Sequence, residues 1–241
     1  MNIFLAGATG VIGRRLLVLL RQAGHAVTGS TRSSDKVAAL EALDARAVVV
    51  DVFDAAALAK AMEVAEPDIV IHQLTDLPDS NNLLKLAAAL PRNSRIRTEG
   101  TRNLVAAAQA AGARRIIAQS IAFAYAEGPE PHVETDPLAS GEGLSPGAIS
   151  ARGVRALEEA VRGSADGIVL RYGRLYGPAT WSETPVGRAP LHVDAAAHAA
   201  LLVVDGGAPG IYNIAEDDGA VSIEKARAQL GFDPNFRQCA A

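Results

Sequence analysis

The stretch Asn2-Ile3-Phe4-Leu5-Ala6-Gly7-Ala8-Thr9-Gly10-Val11-Ile12-Gly13 decides the fold. Asn2–Ala6 reads as a buried strand, and Val11–Ala23 reads as an amphipathic helix closed by Gly24. Between them the glycines recur as G-x-x-G-x-x-G, and each has a mechanical task. Gly7 permits the tight turn out of the strand. Gly10 lacks the Cβ that would hold a ligand off the backbone, and Gly13 lets the helix pack closely on the strand. The backbone of Gly7, Thr9, Gly10, Val11, Ile12 and Gly13 then offers free N–H groups and the positive end of a helix dipole to a pyrophosphate. The strand before and the helix after separate this pattern from a chance Gly-rich turn, and they predict a dinucleotide site.

Outward from that loop, short β-rich runs alternate with helical patterns. This is the signature of an α/β chain with a Rossmann-type, doubly wound parallel sheet. Strands are predicted at His25–Ser30, Ala47–Val50, Asp68–His72, Arg115–Ser120 and Gly167–Arg171. Helices are predicted at Asp35–Leu43, Asp54–Val64 (capped by Asp54), Asn82–Ala111 with an interruption near Pro91, and Ser150–Arg162. Gly128–Gly147 is rich in Gly, Pro and Glu and reads as a loop. After Tyr172 the rhythm changes. Gly173–Pro190 has no clear period, and a helix at Asp194–Val204, a strand at Gly210–Ile214 and a helix at Ser222–Leu230 follow. The expected division is a dinucleotide-binding domain over 1–172, to which 191–205 return. A small, partly interleaved C-terminal part over 173–241 would form the substrate side at the carboxyl ends of the strands.

The second strand leads into the choice of cofactor. A site selective for NAD places Asp or Glu there, on the ribose hydroxyls. Val27-Thr28-Gly29-Ser30-Thr31-Arg32-Ser33-Ser34 has no carboxylate before Asp35. Thr31 and Arg32 instead offer a hydroxyl and a guanidinium to a 2′-phosphate, so NADP(H) is preferred with NAD(H) as the alternative. Asp51, with Val52 beside it, follows the third strand where adenine would lie.

Composition bounds the rest. About half of the 241 residues are apolar (49%), enough for a sizeable core, and the net charge of −4 argues against a nucleic-acid partner. A lone cysteine, Cys239, excludes an internal disulfide and suits a reducing compartment. No apolar run approaches the ~20 residues of a membrane span. The expectation is a cytoplasmic protein with a small-molecule substrate, no membrane partner and no metal, since His192 and Asp194 are too few to make a metal site.

With these residues placed, the chain resembles the extended and atypical short-chain dehydrogenase/reductases, the NAD-dependent epimerase/dehydratase group. The resemblance is carried by Gly7–Gly13, Asp51-Val52, Ile71-His72, Gly100-Thr101-Arg102-Asn103-Leu104, Ser120–Tyr125, Leu170-Arg171-Tyr172 with Tyr176-Gly177-Pro178, and His192-Val193-Asp194. It implies that His72 ends the fourth strand where the backbone lines the cofactor, with a structural histidine as the favoured reading of its side chain, and that Asp194 caps a helix. It also implies homodimers formed through the Ser94–Ala111 and Ser150–Arg162 helices. The group's chemistry uses a Tyr acid/base whose pKa is lowered by Lys, a carbonyl-polarising Ser, and an Asn behind the Lys.

This chain departs at each of those positions. Arg97 stands for the Asn and Ile121 for the Ser, and Glu158 as the helix glutamate puts Ser150 and Val154 at Tyr and Lys. No Tyr-x-x-x-Lys occurs in the chain. The remaining catalytic candidates are Ser120 and Tyr125. Tyr125 reads either as a proton donor, with Arg97, Arg152 or Arg155 as its cation, or as a pocket wall. Arg171, Tyr176 and Trp181 are candidate substrate contacts, with loop anchoring as the other reading of Arg171 and Tyr176. Two functions stay open. One is an NAD(P)-dependent oxidoreductase or epimerase/dehydratase-like enzyme acting on a small carbonyl, alcohol or sugar-like substrate, and the balance favours it. The other is a non-catalytic NADP(H) sensor.

Overall fold

A computed structural model of the chain describes residues 1–78 and 82–238, so Cys239 lies outside the described residues. Nine strands are described. They are β1 (Asn2–Ala6), β2 (Ala26–Thr31), β3 (Arg46–Val49), β4 (Ile69–His72), β5 (Arg115–Ile121), β6 (Gly167–Tyr172), β7 (Arg174–Tyr176), β8 (Pro190–His192) and β9 (Gly210–Ile214). Seven of them form one parallel sheet in the order β3-β2-β1-β4-β5-β6-β9. The chain winds outward from β1 to β3, then crosses back to β4. The carboxyl ends of β1 and β4 therefore flank the crevice where open α/β sheets bind ligands. Strand β9, which the sequence groups with the C-terminal part, is the seventh strand of this sheet.

Eight helices cover the two faces. They are α1 (Val11–Gln22), α2 (Val37–Glu41), α3 (Ala55–Ala65), α4 (Leu83–Arg95), α5 (Thr101–Ala110), α6 (Pro146–Arg162), α7 (Val193–Asp205) and α8 (Glu224–Leu230). Alternate residues of each strand feed opposite cores. Ile3, Leu5, Ile71 and Ile117 pack with Leu16 and Leu20 of α1 and the alanines of α7. Phe4, Val70, Ile116 and Val169 pack with Leu58, Met62, Leu104 and Leu157 on the other face. On α7, Ala195, Ala196, Ala199 and Ala200 are fully buried, and their small side chains let the helix lie close against the core. Among the described residues no helix is long and apolar enough to cross a membrane.

Four local expectations change, the first being the cap of α7, which is His192 rather than Asp194, its Nδ1 accepting the Asp194 N–H (3.2 Å). The interruption expected near Pro91 falls further on. Pro91 is carried inside α4 on an exposed side, and the break is a π-turn at Ile96–Gly100 that runs into α5. Helix α6 starts at Pro146, because Ser145 accepts the Ala148 N–H (3.1 Å) and proline suits the first helical position. Gly147 made that start read as loop. The segment Gly173–Pro190 contains β7 and reaches β8, which pair with each other in parallel.

Candidate functional site

The glycine loop closes around backbone rather than side chains. Gly7 has φ +87°, and a Cβ there would meet the Gln73 carbonyl carbon and oxygen at 2.8 Å, so the turns after β1 and β4 touch. A Cβ on Gly13 would lie 2.1 Å from the Gly7 carbonyl oxygen, so only glycine lets α1 begin directly over the loop. Gly10 donates to the Gly7 carbonyl (3.0 Å) and stands exposed as the cap of α1. No side chain caps α1, and its first turn carries no acid. The amide end is thus free for an anion, and the residues present fit the pyrophosphate of a dinucleotide. Thr9 and Val11 are half-buried at its rim, while the Ile12 side chain lies in the core, leaving only its backbone for a ligand.

The segments around the loop divide into rim and support. Arg32 is half-exposed at the end of β2, with Nη2 3.6 Å from Asp76 Oδ1, while Thr31 is buried and its Oγ1 accepts the Ser33 N–H. Asp51 is exposed and holds the turn after β3 by accepting the Phe53 N–H (2.9 Å). Val52 is buried. Its carbonyl accepts from Asn103 Nδ2 (3.0 Å), and a Cβ on Gly100 would meet its side chain at 3.0 Å. The G-T-R-N-L element is therefore a packing device. Gly100 makes room for Val52, Thr101 meets His72, Asn103 ties down Val52, and Leu104 fills the core.

The His72 side chain belongs to that interior. Nδ1 accepts the Leu74 N–H (3.2 Å), so the ring proton sits on Nε2 and points to Thr101 Oγ1 (3.0 Å). Burial, helped by the Arg97 charge, pulls its pKa down to about 4 and keeps it neutral. Only its backbone remains to line a cofactor.

The positions expected to carry the catalytic residues hold other side chains. Arg97, nine-tenths buried on the π-turn, donates to Ser150 Oγ (3.2 Å). Burial, against the pull of Glu158, lowers its pKa to about 10, so it stays charged at neutral pH. Gly153 gives it room, since a Cβ there would lie 3.3 Å from Arg97 Cβ and Cδ. Val154, at the lysine position, is fully buried.

Ser120, Tyr125 and Arg171 do come together, but in a hydrogen-bonded network that is buried at Ser120 and Arg171 and half-buried at Tyr125. In-register parallel pairing sets Ser120 on β5, Arg171 on β6 and Asn213 on β9 side by side on one face of the sheet. Arg171 holds Glu158 in a two-point ion pair (Nε–Oε1 2.9 Å, Nη2–Oε2 2.7 Å), and Ser120 Oγ donates to Glu158 Oε1 (2.8 Å). Arg171 Nη1 donates to Tyr125 Oη (2.8 Å), which donates to Asn213 Oδ1 (2.6 Å). Burial raises the Tyr125 pKa, partly offset by Arg171.

The cation beside Tyr125 is therefore Arg171, not Arg97, Arg152 or Arg155. Arg152 is tied to the Gly141 and Gly143 carbonyls, and Arg155 to those of Leu138 and Ala139. Glu158 is legible in the sequence only as a family marker. Asn213 carries no signal there, because its partners arrive from remote loops.

A cavity of about 540 Å³ opens beyond β5, lined among others by Ala122, Phe123, Tyr125, Arg174, Val186 and Arg188. Of the expected site residues, Tyr125 walls it. Arg171, Tyr176 and Trp181 do not line it, because their polar atoms anchor chain segments. Tyr176 Oη donates to Glu216 Oε1 (2.5 Å) and accepts from Arg237 (3.0 Å). Trp181 Nε1 donates to the Pro78 carbonyl (2.9 Å), pinning its loop to the segment after β4.

The model of a family described as NAD(P)H-binding matches residues 7–180. A 3-diazoavenalumate denitrifying reductase of Streptomyces sp. is 39% identical over 243 residues, spanning 91% of this chain and 77% of that protein. In fold, the chain is similar to UDP-glucose 4-epimerase of Thermotoga maritima, solved with UDP-glucose (TM-score 0.77, 18% identity, 98% of this chain and 94% of that one). It is also similar to a short-chain dehydrogenase/reductase superfamily protein of Agrobacterium tumefaciens with bound NAD (TM-score 0.73, 20% identity, 98% and 93%). The chain thus belongs to the NAD(P)H-binding family, on the Rossmann-type fold that these epimerase and dehydrogenase structures share.

Proposed function

We propose that the chain is an NADPH-dependent reductase that replaces the diazo group of a small carboxylate by hydrogen, the reaction class named for its Streptomyces relative. The observation that carries this reading is an intact dinucleotide cradle beside a site stripped of its proton donor. A carbonyl or sugar-like substrate needs a proton at the oxygen that receives charge. Here Ser150 stands for the Tyr acid and accepts from Arg97, Ile121 and Val154 stand for the Ser and Lys, and the Tyr125 hydroxyl proton is already engaged with Asn213. When bound, the reduced nicotinamide supplies a hydride, and its exchange for N₂ at a diazonium carbon balances with oxidised cofactor and no proton consumed. The work left to the protein is orientation and exclusion of water. In this reading residues 1–172, with 191–205 returning to them, carry the dinucleotide site, and the C-terminal part over 173–241 walls the substrate side together with Phe123 and Tyr125.

The diazonium salt of 3-amino-4-hydroxycinnamate, supplied with C4-deuterated NADPH, tests the reaction. NADPH loss is expected to match N₂ release one for one, with deuterium in the product. N₂ release without label in the product sinks the reductase reading, and tight NADPH binding with no turnover leaves the sensor. Tyr125→Phe is expected to keep kcat within about threefold, a barrier change below about 1 kcal/mol. Its stability falls by about 1 kcal/mol for the lost hydrogen bonding. A tenfold fall in kcat returns Tyr125 to the mechanism as a proton donor.

The preference for NADPH rests on Arg32, half-exposed and only loosely paired, beside a strand end that has no carboxylate before Asp35. Arg32→Ala is expected to weaken NADPH binding about tenfold and leave NADH binding unchanged, as titration of each nucleotide would read. Equal losses for both nucleotides contradict the 2′-phosphate assignment.

A further inference from the structure

We infer that Arg174 is the carboxylate-recognition residue of the substrate cavity, with Phe123 as the platform for a flat conjugated body. This deepens the reductase reading and rests on it for the identity of the bound carboxylate. Two arginines line the cavity, and their electrostatic states differ. Arg188 is neutralised by an ion pair with Glu130. Arg174 is exposed, and among the described residues its guanidinium makes no ion pair and no hydrogen bond, so its five donors are unengaged at the cavity wall. It lies with Cζ 4.4 Å from the Phe123 ring centroid, a contact that orients the planar fork without occupying its donors.

The surroundings hold it there. Residue 174 pairs with Pro190 at the β7–β8 contact, and its backbone N–H donates to the Ala189 carbonyl (2.7 Å). Gly187 is matched to the side chain, since a Cβ there would come within 3.1 Å of Arg174 Cδ. Phe123 and Val186, each nearly half-exposed (44% and 47%), give the same cavity apolar wall. An unpaired planar cation beside exposed apolar surface is complementary to a carboxylate on a flat apolar body.

The test is binding, using the full chain saturated with NADP⁺ and two diazo-free probes, 4-hydroxycinnamate and its methyl ester. Wild type is expected to bind the acid at least about tenfold more tightly than the ester. Arg174→Gln should erase that difference by weakening the acid alone. Arg188→Gln, which removes the same charge from a paired arginine, should weaken the acid less than about threefold. Phe123→Ala should weaken acid and ester alike. Arg174 is exposed, so unchanged melting of its variant separates lost recognition from lost fold.

The assignment is overturned by a wild type that does not prefer the acid, by an Arg174→Gln variant that keeps the preference, or by equal losses at Arg174 and Arg188. Binding of the acid without diazo turnover would overturn the reductase reading and leave the carboxylate site standing. Turnover that is indifferent to Arg174 would do the reverse.

Discussion

Gly13→Ala is expected to abolish dinucleotide binding while costing the fold about 3 kcal/mol. The added Cβ would sit 2.1 Å from the Gly7 carbonyl oxygen and 2.9 Å from the Ala8 Cα, and these are backbone atoms with no rotamer to yield. Overpacking of this kind costs typically ~1–3 kcal/mol, and here it acts on the segment that shapes the anion cradle. Helix α1 must slide away from the loop, and its amide end moves with it. The N–H groups then no longer converge on a pyrophosphate, and affinity falls by at least about 100-fold, or ~2.7 kcal/mol. Calorimetric titration with NADPH, beside a denaturant melt, separates the two losses. An alanine variant that binds normally would show that the loop adapts and that close packing of α1 on the loop is not what forms the cradle. Gly10→Ala is the contrast. Its Cβ would meet the protein no closer than 3.3 Å, so the fold should survive while the ligand is obstructed.

Glu158→Ala is expected to destabilise the protein by about 3–5 kcal/mol, the range for breaking a buried ion pair from one side. Glu158 and Arg171 are 4% and 3% exposed, so removal of the carboxylate strands a guanidinium away from water and takes the acceptor from Ser120 as well. Burial alone would lower the Arg171 pKa, and Glu158 with the Tyr125 hydroxyl together more than offset this, holding it above its usual value. In a chain of this length the loss corresponds to a melting temperature lower by about 10 °C. Glu158→Gln retains acceptors for Ser120 and part of the Arg171 fork, so it should lose less. A Glu158→Ala melt within about 1 kcal/mol of wild type would mean that Arg171 reaches solvent by a small rearrangement, and the network would then not be the keystone of the β5-β6-β9 side.

Both predictions bear on why the candidate site was only half legible beforehand. The cradle is local. Gly10 and Gly13 act on atoms within a few residues of themselves, and the positive-φ turn that needs Gly7 is local even though Gln73 fills the space beside it, so spacing alone is enough to place them. The same holds for the β-α alternation that carries the sheet. Ser120, Tyr125 and Arg171 are also legible, but their roles depend on Glu158 and Asn213, whose positions follow from strand register and helix packing. Arg171 reads in sequence as a cation for a substrate and stands in the fold as the partner of a buried acid. Arg174, three residues on, carried no motif and lines the cavity unpaired.

The sequence by itself determined the parallel Rossmann-type sheet, the glycine loop after β1 and the absence of a Tyr-x-x-x-Lys, because each depends on which residues stand at short, fixed spacings. Only the tertiary structure decided which charges are engaged and which are free. Glu158 neutralises Arg171, Glu130 neutralises Arg188, and Arg174 has no such partner among the described residues. The physical reason is that a side chain's electrostatic state is set by whatever remote backbone brings within about 4 Å of it, and no local pattern encodes that distance.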